Sequence, residues 1–76
     1  MKNVSIRLAT IADVQDFVSI VAKSDMDIDL KSGRYVVDAK SILGIFSLNL
    51  LEPIEMTVHS DNTDDLFAAL DRFIVK

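Results

Sequence analysis

The sequence predicts an α+β fold in which an antiparallel sheet carries its helices on one face. Three observations support this prediction. Short segments alternate between apolar and polar residues, as half-buried strands do, while others space apolar residues three and four apart, as amphipathic helices do. These segments follow one another in the order β-α-β-β-α-β-α, and a sheet covered on one side buries all their apolar stripes. The chain has 76 residues, enough for a single domain over residues 1–76.

The first strand and the first helix are predicted at the start of the chain. Val4, Ile6 and Leu8 alternate with polar residues, which is the period of a strand. Thr10 is predicted to be the N-cap of the helix, because its hydroxyl can accept a hydrogen bond from a first-turn amide. Asp13 follows three residues later, as in a variant capping box. The apolar stripe of the helix is predicted to contain Ile11, Val14, Phe17, Val18 and Val21.

The next two strands are predicted to form a hairpin around Gly33. Residues 26–30 alternate between apolar and acidic side chains, which gives the second strand one wet face. Gly33 can adopt a positive φ without steric cost, so the chain should turn back into a third strand at residues 35–37. Three aspartates, Asp25, Asp27 and Asp29, lie in a row on the wet face. A row of carboxylates is typical of a solvated surface rather than of a cation cage.

The second half of the chain predicts two helices and the fourth strand. Ser41 is predicted to cap a short second helix, and Pro53 marks the break after it. Residues 54–59 alternate again and predict the fourth strand, while residues 60–63 form a turn and cap cluster. Two aspartates then fall in the first turn of the last helix, where the helix dipole favours them. The apolar face of that helix is predicted to contain Leu66, Leu70, Phe73 and Ile74.

Composition excludes several classes of function. The formal net charge is −4 and the eight Lys and Arg residues are scattered singly, which argues against nucleic acid as a partner. Cysteine is absent, which excludes disulfides, thiolate metal sites and a cysteine nucleophile. The sequence has no apolar signal core at its start and no run approaching the ~20 residues that span a bilayer. We therefore expect a cytoplasmic protein without a membrane partner.

The chain closely resembles HPr, the small phosphocarrier of the bacterial sugar phosphotransferase system, around that family's regulatory serine. The matching segment is Asp38-Ala39-Lys40-Ser41-Ile42-Leu43-Gly44-Ile45-Phe46-Ser47-Leu48. The resemblance extends from Val4 to Val75, and the Phe17-Val18 pair lies at the family's usual distance before the serine. It implies the HPr fold, an open-faced sandwich whose four-stranded antiparallel sheet has the spatial order 1-4-2-3.

The resemblance also implies a change at the phosphocarrier site. HPr carries phosphate on a histidine at the start of its first helix, followed closely by an arginine and a proline. When the first helix of this chain is aligned with that pattern, Thr10 occupies the position of the histidine, Ala12 that of the arginine and Asp13 that of the proline. Its only histidine, His59, is the last residue of the predicted fourth strand, and by alternation it should face solvent. The chain is therefore similar to a histidine-less HPr relative comparable to Crh, the catabolite-repression paralogue.

The same resemblance implies a regulatory site at Ser41. In HPr the matching serine is phosphorylated by HPr kinase/phosphorylase, and the helix after it docks enzyme I, the kinase and catabolite control protein A, a transcription regulator. By resemblance, Ile42, Leu43 and Phe46 would contact such partners. The residues alone leave two alternatives open: Ser41 can be a plain N-cap, and some of the three apolar side chains can belong to the core.

Three functions are compatible with this pattern. The leading hypothesis is a non-enzymatic regulatory module, without catalytic residues, that acts through Ser41 and an apolar docking helix. The second is an active phosphocarrier using His59 or Thr10, although a phosphothreonine ester is a poor phosphoryl donor. The third is an HPr-fold oligomerisation module, such as a homodimer that exchanges its first strand. None requires a cofactor, and a lone histidine offers no metal site.

Overall fold

The computed structural model describes residues 1–75 and confirms the predicted order of elements. The strands are β1 (Lys2–Ile6), β2 (Ile28–Ser32), β3 (Tyr35–Asp38) and β4 (Ile54–Val58), and the helices are α1 (Ile11–Ala22), α2 (Ile42–Phe46) and α3 (Asp64–Ala69). The strands pair antiparallel in the spatial order β1-β4-β2-β3. The α+β fold and the strand order 1-4-2-3 are therefore confirmed. Within residues 1–75, no helix is both long enough and apolar enough to cross a membrane.

The core lies between one face of the sheet and the helices. Alternate residues of β2 and β4 are buried there, and their neighbours along each strand are more exposed. The α1 helix contributes Val14, Phe17 and Val21. The ring of Phe17 meets that of Phe73 edge to face, with their centroids 5.9 Å apart. Because this geometry favours an aromatic pair beyond the area it buries, it ties α1 to the C-terminal part of the chain.

Gly33 closes the hairpin between β2 and β3 as predicted. Ser32 pairs with Tyr35, so the loop contains only Gly33 and Arg34. The φ of Gly33 is +60°, and no other residue among 1–75 has a positive φ. A type II′ turn needs a positive φ only at its first central position, which explains why glycine stands there and arginine can follow it.

The start of α1 differs from the prediction in two details. Ile11 was assigned to the buried stripe but is exposed, because it begins the helix before the chain passes over the sheet. Asp13 does not bond back to the amide of Thr10 as a capping box would. Its carboxylate accepts a hydrogen bond from the Ala9 N–H at 3.0 Å, one residue earlier.

Other predicted boundaries were also wrong by a few residues. The α3 helix ends at Ala69, and a 3₁₀ turn at Asp71–Phe73 brings Phe73 and Ile74 to the core instead of further helix. Ile74 then forms a bridge with Ile6, which pulls the chain out of helical geometry. Leu8 and Met26 were placed in strands but lie just outside β1 and β2. Leu8 is nevertheless fully buried, so its inward direction was predicted correctly.

Candidate functional site

The turn from β3 to α2 is fixed by backbone hydrogen bonds. The Ala39 N–H donates to the carbonyl of Ile28 at 2.9 Å, which keeps the chain against the sheet after β3 ends. Asp38 then organises the turn. Its carboxylate accepts from the Lys40 N–H at 2.8 Å, and its carbonyl accepts from the Ser41 N–H at 2.9 Å. The position of Ser41 therefore follows from the position of the sheet edge.

Ser41 is the N-cap of α2, as predicted. Its backbone is extended, with φ −98° and ψ 101°, and its Oγ accepts from the Gly44 N–H at 3.2 Å. The residue is exposed to solvent. An N-cap hydroxyl satisfies one of the first-turn amides that have no acceptor inside the helix. The hydroxyl thus stabilises α2 while its oxygen stays accessible.

Gly44 allows α2 to lie close to β3. A Cβ at this position would be 3.1 Å from Ser41 Oγ and 3.2 Å from Val37 Cβ. Such contacts are tighter than ordinary van der Waals packing, so a side chain here would require Ser41 or Val37 to shift by a few tenths of an ångström. Sequence reasoning missed this role, although a glycine inside a very short apolar helix was a signal for it.

Lys40 anchors the turn from the other side. Its Nζ donates to the carbonyl of Ser24 at 2.7 Å, and its side chain is half-buried. Ser24 lies in the segment after α1, where its own hydroxyl accepts from the Met26 N–H. The residue before Ser41 is therefore held by the loop that leads into β2, an interaction that the sequence did not reveal.

The α2 helix exposes apolar side chains next to Ser41. Leu43 is 81% exposed and Phe46 is 41% exposed, while Leu51 in the following loop is 86% exposed. Ile45 is fully buried and Ile42 is half-buried against the core. Of the three predicted contact residues, Leu43 and Phe46 thus lie at the surface and Ile42 is shared with the core. Large apolar side chains at the surface are typical of a contact region.

Thr10 caps α1 with the same chemistry that Ser41 uses at α2. Its Oγ1 accepts from the Asp13 N–H at 3.0 Å, and the residue is exposed. Ala12, the position implied for the family's arginine, is also exposed. Arg72 pairs with Asp16 at 2.7 Å on the outward side of α1. Among residues 1–75, no hydrogen bond or ion pair joins Thr10 to a cation.

His59 directly follows β4 and is not a helix cap. Its ring is partly exposed, and Nε2 lies 2.8 Å from Oδ2 of Asp29. The backbone N–H of His59 also donates to the carbonyl of Asp27 at 2.9 Å. Sequence reasoning predicted the exposure but missed the Asp29 partner, which depends on the register of β2 with β4. Among residues 1–75, no cluster of His, Cys, Asp or Glu has the arrangement to hold a metal ion.

The structure does not bring Thr10, Ser41 and His59 together. Each follows or precedes a different element, and in the part of the chain that is described no hydrogen bond joins any two of them. The start of α2 combines an exposed hydroxyl residue with two large exposed apolar side chains, Leu43 and Phe46, whereas Thr10 at the start of α1 is followed by one, Ile11. It is therefore the best candidate for a site that is modified and then bound by another protein.

Comparisons with known proteins identify the family of the chain. Residues 12–75 match the family model PTS-HPr, described as the PTS HPr component phosphorylation site. A search of curated proteins found no significant match. The matched segment includes the whole of α2 and begins after Thr10.

Two solved structures are similar over nearly the whole chain. HPr-C-His from Thermoanaerobacter tengcongensis is 25% identical, with 95% of this chain and 89% of that chain covered and a TM-score of 0.78. The phosphocarrier protein HPr from Bacillus anthracis str. Ames is 26% identical, with 97% and 94% covered and a TM-score of 0.66. Both share the fold described above.

Proposed function

The chain belongs to the HPr family of the phosphotransferase system, and from this premise we propose that it is a cytoplasmic regulatory protein rather than a phosphocarrier. Members of this family interact with other proteins of the phosphotransferase system. In this proposal the protein acts through phosphorylation of Ser41 and through docking of α2. Thr10, at the position implied for the family histidine, does no phosphoryl transfer.

A single observation carries the proposal: the exposed cap hydroxyl of Ser41 and the exposed side chains of Leu43 and Phe46 belong to one short segment, residues 41–46. A kinase would transfer the γ-phosphoryl group of ATP to Ser41 Oγ and release ADP. The product carries close to two negative charges at neutral pH. It would face the amides of Ile42 and Leu43, which have no acceptor within the helix. Phosphorylation would therefore change the charge of the docking surface without requiring α2 to unfold.

The partners in this proposal are HPr kinase/phosphorylase, a transcription regulator and other phosphotransferase components. Each would contact Leu43 and Phe46, with Ile42 supporting them from its half-buried position. The chain has Ala12 where the family pattern has an arginine, so no guanidinium is available there for a phosphorylated or acidic partner. Docking must then depend on the apolar surface of α2 more than on charge.

A kinase assay tests the role of Ser41. The protein is incubated with a bacterial HPr kinase/phosphorylase and ATP, and intact mass is measured. We expect one phosphate on the wild type and none on Ser41→Ala. Ser47→Ala is the matched control, because Ser47 is also exposed on the same helix and its hydroxyl donates to the Gly44 carbonyl at 2.6 Å. This control should take up one phosphate. An unmodified wild type, or a phosphate that persists in Ser41→Ala, would refute the proposal.

An active phosphocarrier is the second candidate function. The observation in its favour is the exposed ring of His59, whose Nε2 lies 2.8 Å from a carboxylate of Asp29 that can orient it. The test is incubation with enzyme I and phosphoenolpyruvate, followed by acid treatment. Acid-labile phosphate that is absent from His59→Ala would establish this function, whereas acid-stable phosphate lost in Thr10→Val would assign the carrier to Thr10.

A further inference from the structure

The two edges of the sheet, β1 and β3, differ in how many of their backbone groups form hydrogen bonds. At the β1 edge, the Arg7 N–H donates to the Phe73 carbonyl at 2.8 Å and the Val75 N–H donates to the Ser5 carbonyl at 2.9 Å. The end of the described chain thus covers part of β1. At the other edge, β3 pairs with β2 alone among the described residues 1–75. An uncovered edge strand presents a row of backbone groups that can pair with another strand.

The hairpin geometry identifies which backbone groups of β3 face outward. In an antiparallel pair the hydrogen-bonded positions alternate, and the residues flanking a two-residue loop bond each other. Tyr35 and Val37 therefore bond to β2, while the backbone groups of Val36 and its second neighbours, Arg34 and Asp38, face away. Among residues 1–75, the only bond recorded from these outward groups joins the Asp38 carbonyl to the Ser41 N–H. The Val36 side chain is 60% exposed.

Charge is distributed unevenly along this edge. Arg34 lies at the loop end of β3, and Asp38 lies at the other end, directly opposite Asp29 of β2. Like charges directly opposite each other in a sheet are destabilising. His59 pairs with the carboxylate of Asp29, but the Asp38 carboxylate accepts only the backbone N–H of Lys40. The edge therefore has a positive end and a negative end that is incompletely compensated.

We propose that β3 pairs antiparallel with β3 of a second copy of this chain, centred on Val36. In this register Val36 bonds to the partner subunit's Val36, and Arg34 faces the partner subunit's Asp38 on both sides of the two-fold axis. The two four-stranded sheets become one continuous sheet. Each Arg34 guanidinium then neutralises the carboxylate of the partner subunit's Asp38. In a single chain, Asp38 lies directly opposite the Asp29 carboxylate.

Other registers of the β3–β3 pairing are less favourable, either because of their charges or because of their backbone groups. A centre at Val37 places Arg34 opposite the partner subunit's Lys40, which sets like charges against each other. A centre at Tyr35 leaves each Asp38 opposite the partner subunit's Ser32 and forms no ion pair. A centre between two residues would require the backbone groups of Val37, which already bond to β2. Only the Val36 register combines outward-facing backbone groups with opposite charges.

This pairing places both sets of helices on the same face of the joined sheet. A two-fold axis through a hydrogen-bonded pair is perpendicular to the sheet, so the faces of the two copies coincide. The α2 helix lies against β3, since Gly44 approaches Val37 closely. The two α2 helices would then flank the axis, with Leu43 and Phe46 near the seam. Self-association would therefore compete with docking of another protein at α2, although it does not depend on the phosphorylation of Ser41.

Sedimentation velocity over a concentration series tests the proposal. We expect the wild-type protein to shift from monomer towards dimer as concentration rises to the millimolar range, and to dissociate in high salt. Val36→Pro removes an outward N–H without breaking the bonds to β2, and Arg34→Asp sets two carboxylates against each other. Each should weaken association by about tenfold or more, which corresponds to at least ~1.4 kcal/mol. Arg7→Asp makes the same charge change beside β1 and should dimerise like the wild type.

Mixing two variants gives the sharpest result. Arg34→Asp and Asp38→Arg should each remain monomeric alone, while an equimolar mixture of the two should form a heterodimer with opposite charges restored. Circular dichroism and urea unfolding establish that each variant is folded. A wild type that stays monomeric at every concentration would overturn the proposal. A dimer that persists in both Val36→Pro and Arg34→Asp would also overturn it, because another surface, such as an exchanged β1, would then be responsible.

Discussion

The starts of α1 and α2 use the same cap and differ in what surrounds it. Thr10 and Ser41 each accept a hydrogen bond from the amide three residues later, at 3.0 and 3.2 Å. At α1 that third residue is Asp13, whose carboxylate turns back to the Ala9 N–H. At α2 it is Gly44, which has no side chain and leaves the cap open.

Under the proposed function, this difference favours Ser41 over Thr10 as the residue that is phosphorylated. A carboxylate already lies at the positive end of the α1 dipole, so a second anion on Thr10 would be repelled. The first turn of α2 contains no acidic residue, and Lys40 precedes its cap. We therefore expect the two hydroxyl residues to differ in how readily they carry a phosphate, although both cap a helix. Residue type alone does not reveal this, because the deciding atoms belong to the neighbours.

The largest effect should come from removing the anchor of α2. Ile45 is the one fully buried residue of this helix, whereas α1 has three buried residues. Ile45→Ala should reduce the free energy of unfolding by about 2–5 kcal/mol, since it leaves a cavity. Leu43→Ala should change it by less than about 0.5 kcal/mol, because that side chain is exposed. Urea denaturation measures both values, and equal losses would show that Leu43 belongs to the core instead of the contact surface.

A smaller effect on stability should come from placing an aspartate at each of the two caps. Aspartate caps helices as well as serine or threonine does, so Ser41→Asp should leave the free energy of unfolding within about 0.5 kcal/mol of the wild type. Thr10→Asp should cost about 0.2–0.5 kcal/mol more, because its carboxylate lies near that of Asp13. Asp13→Asn combined with Thr10→Asp should remove this extra cost. If both aspartate variants are equally stable at low salt, the proposed distinction between the caps is wrong.

The smallest effect concerns an ion pair outside α1 and α2, between the Met1 ammonium and Asp61. The Met1 ammonium donates a hydrogen bond to Oδ1 of Asp61 at 3.0 Å and lowers the pKa of that carboxyl below its ordinary value. Since the folded pKa is lower than the unfolded one, the stabilisation is complete above the unfolded pKa and is lost as pH falls through the folded pKa. NMR titration should show this depressed pKa, and acetylation of the N-terminus should raise it. An unchanged pKa after acetylation would assign the shift to another group.

The strands and caps could be predicted because their causes are local. Alternation in residues 54–58 requires only that one face of β4 is buried, and the capping ability of Thr10 and Ser41 depends on the next three residues. Family resemblance supplied the strand order, which periodicity alone does not determine. The exposure of Leu43 followed from the small size of α2, since so short a helix cannot bury every side.

Features that depend on register or on distant partners could not be predicted. The pairing of His59 with Asp29 requires the alignment of β4 with β2, and the end of α3 at Ala69 reflects the bridge between Ile74 and Ile6. The exposure of Ile11 depends on where α1 first meets the sheet. At the candidate site, the close approach of Gly44 to Val37 could not be predicted either, because the spacing of residues in the sequence does not determine it.

The arrangement around β1 has a consequence for folding during synthesis. The β1 strand pairs with β4 and with the segment at residues 73–75, both of which are synthesised after it. Its partners are thus separated from it by most of the chain, and closing that loop is a slow, entropically costly step. Until residue 75 has emerged from the ribosome, β1 lacks part of its final hydrogen bonding.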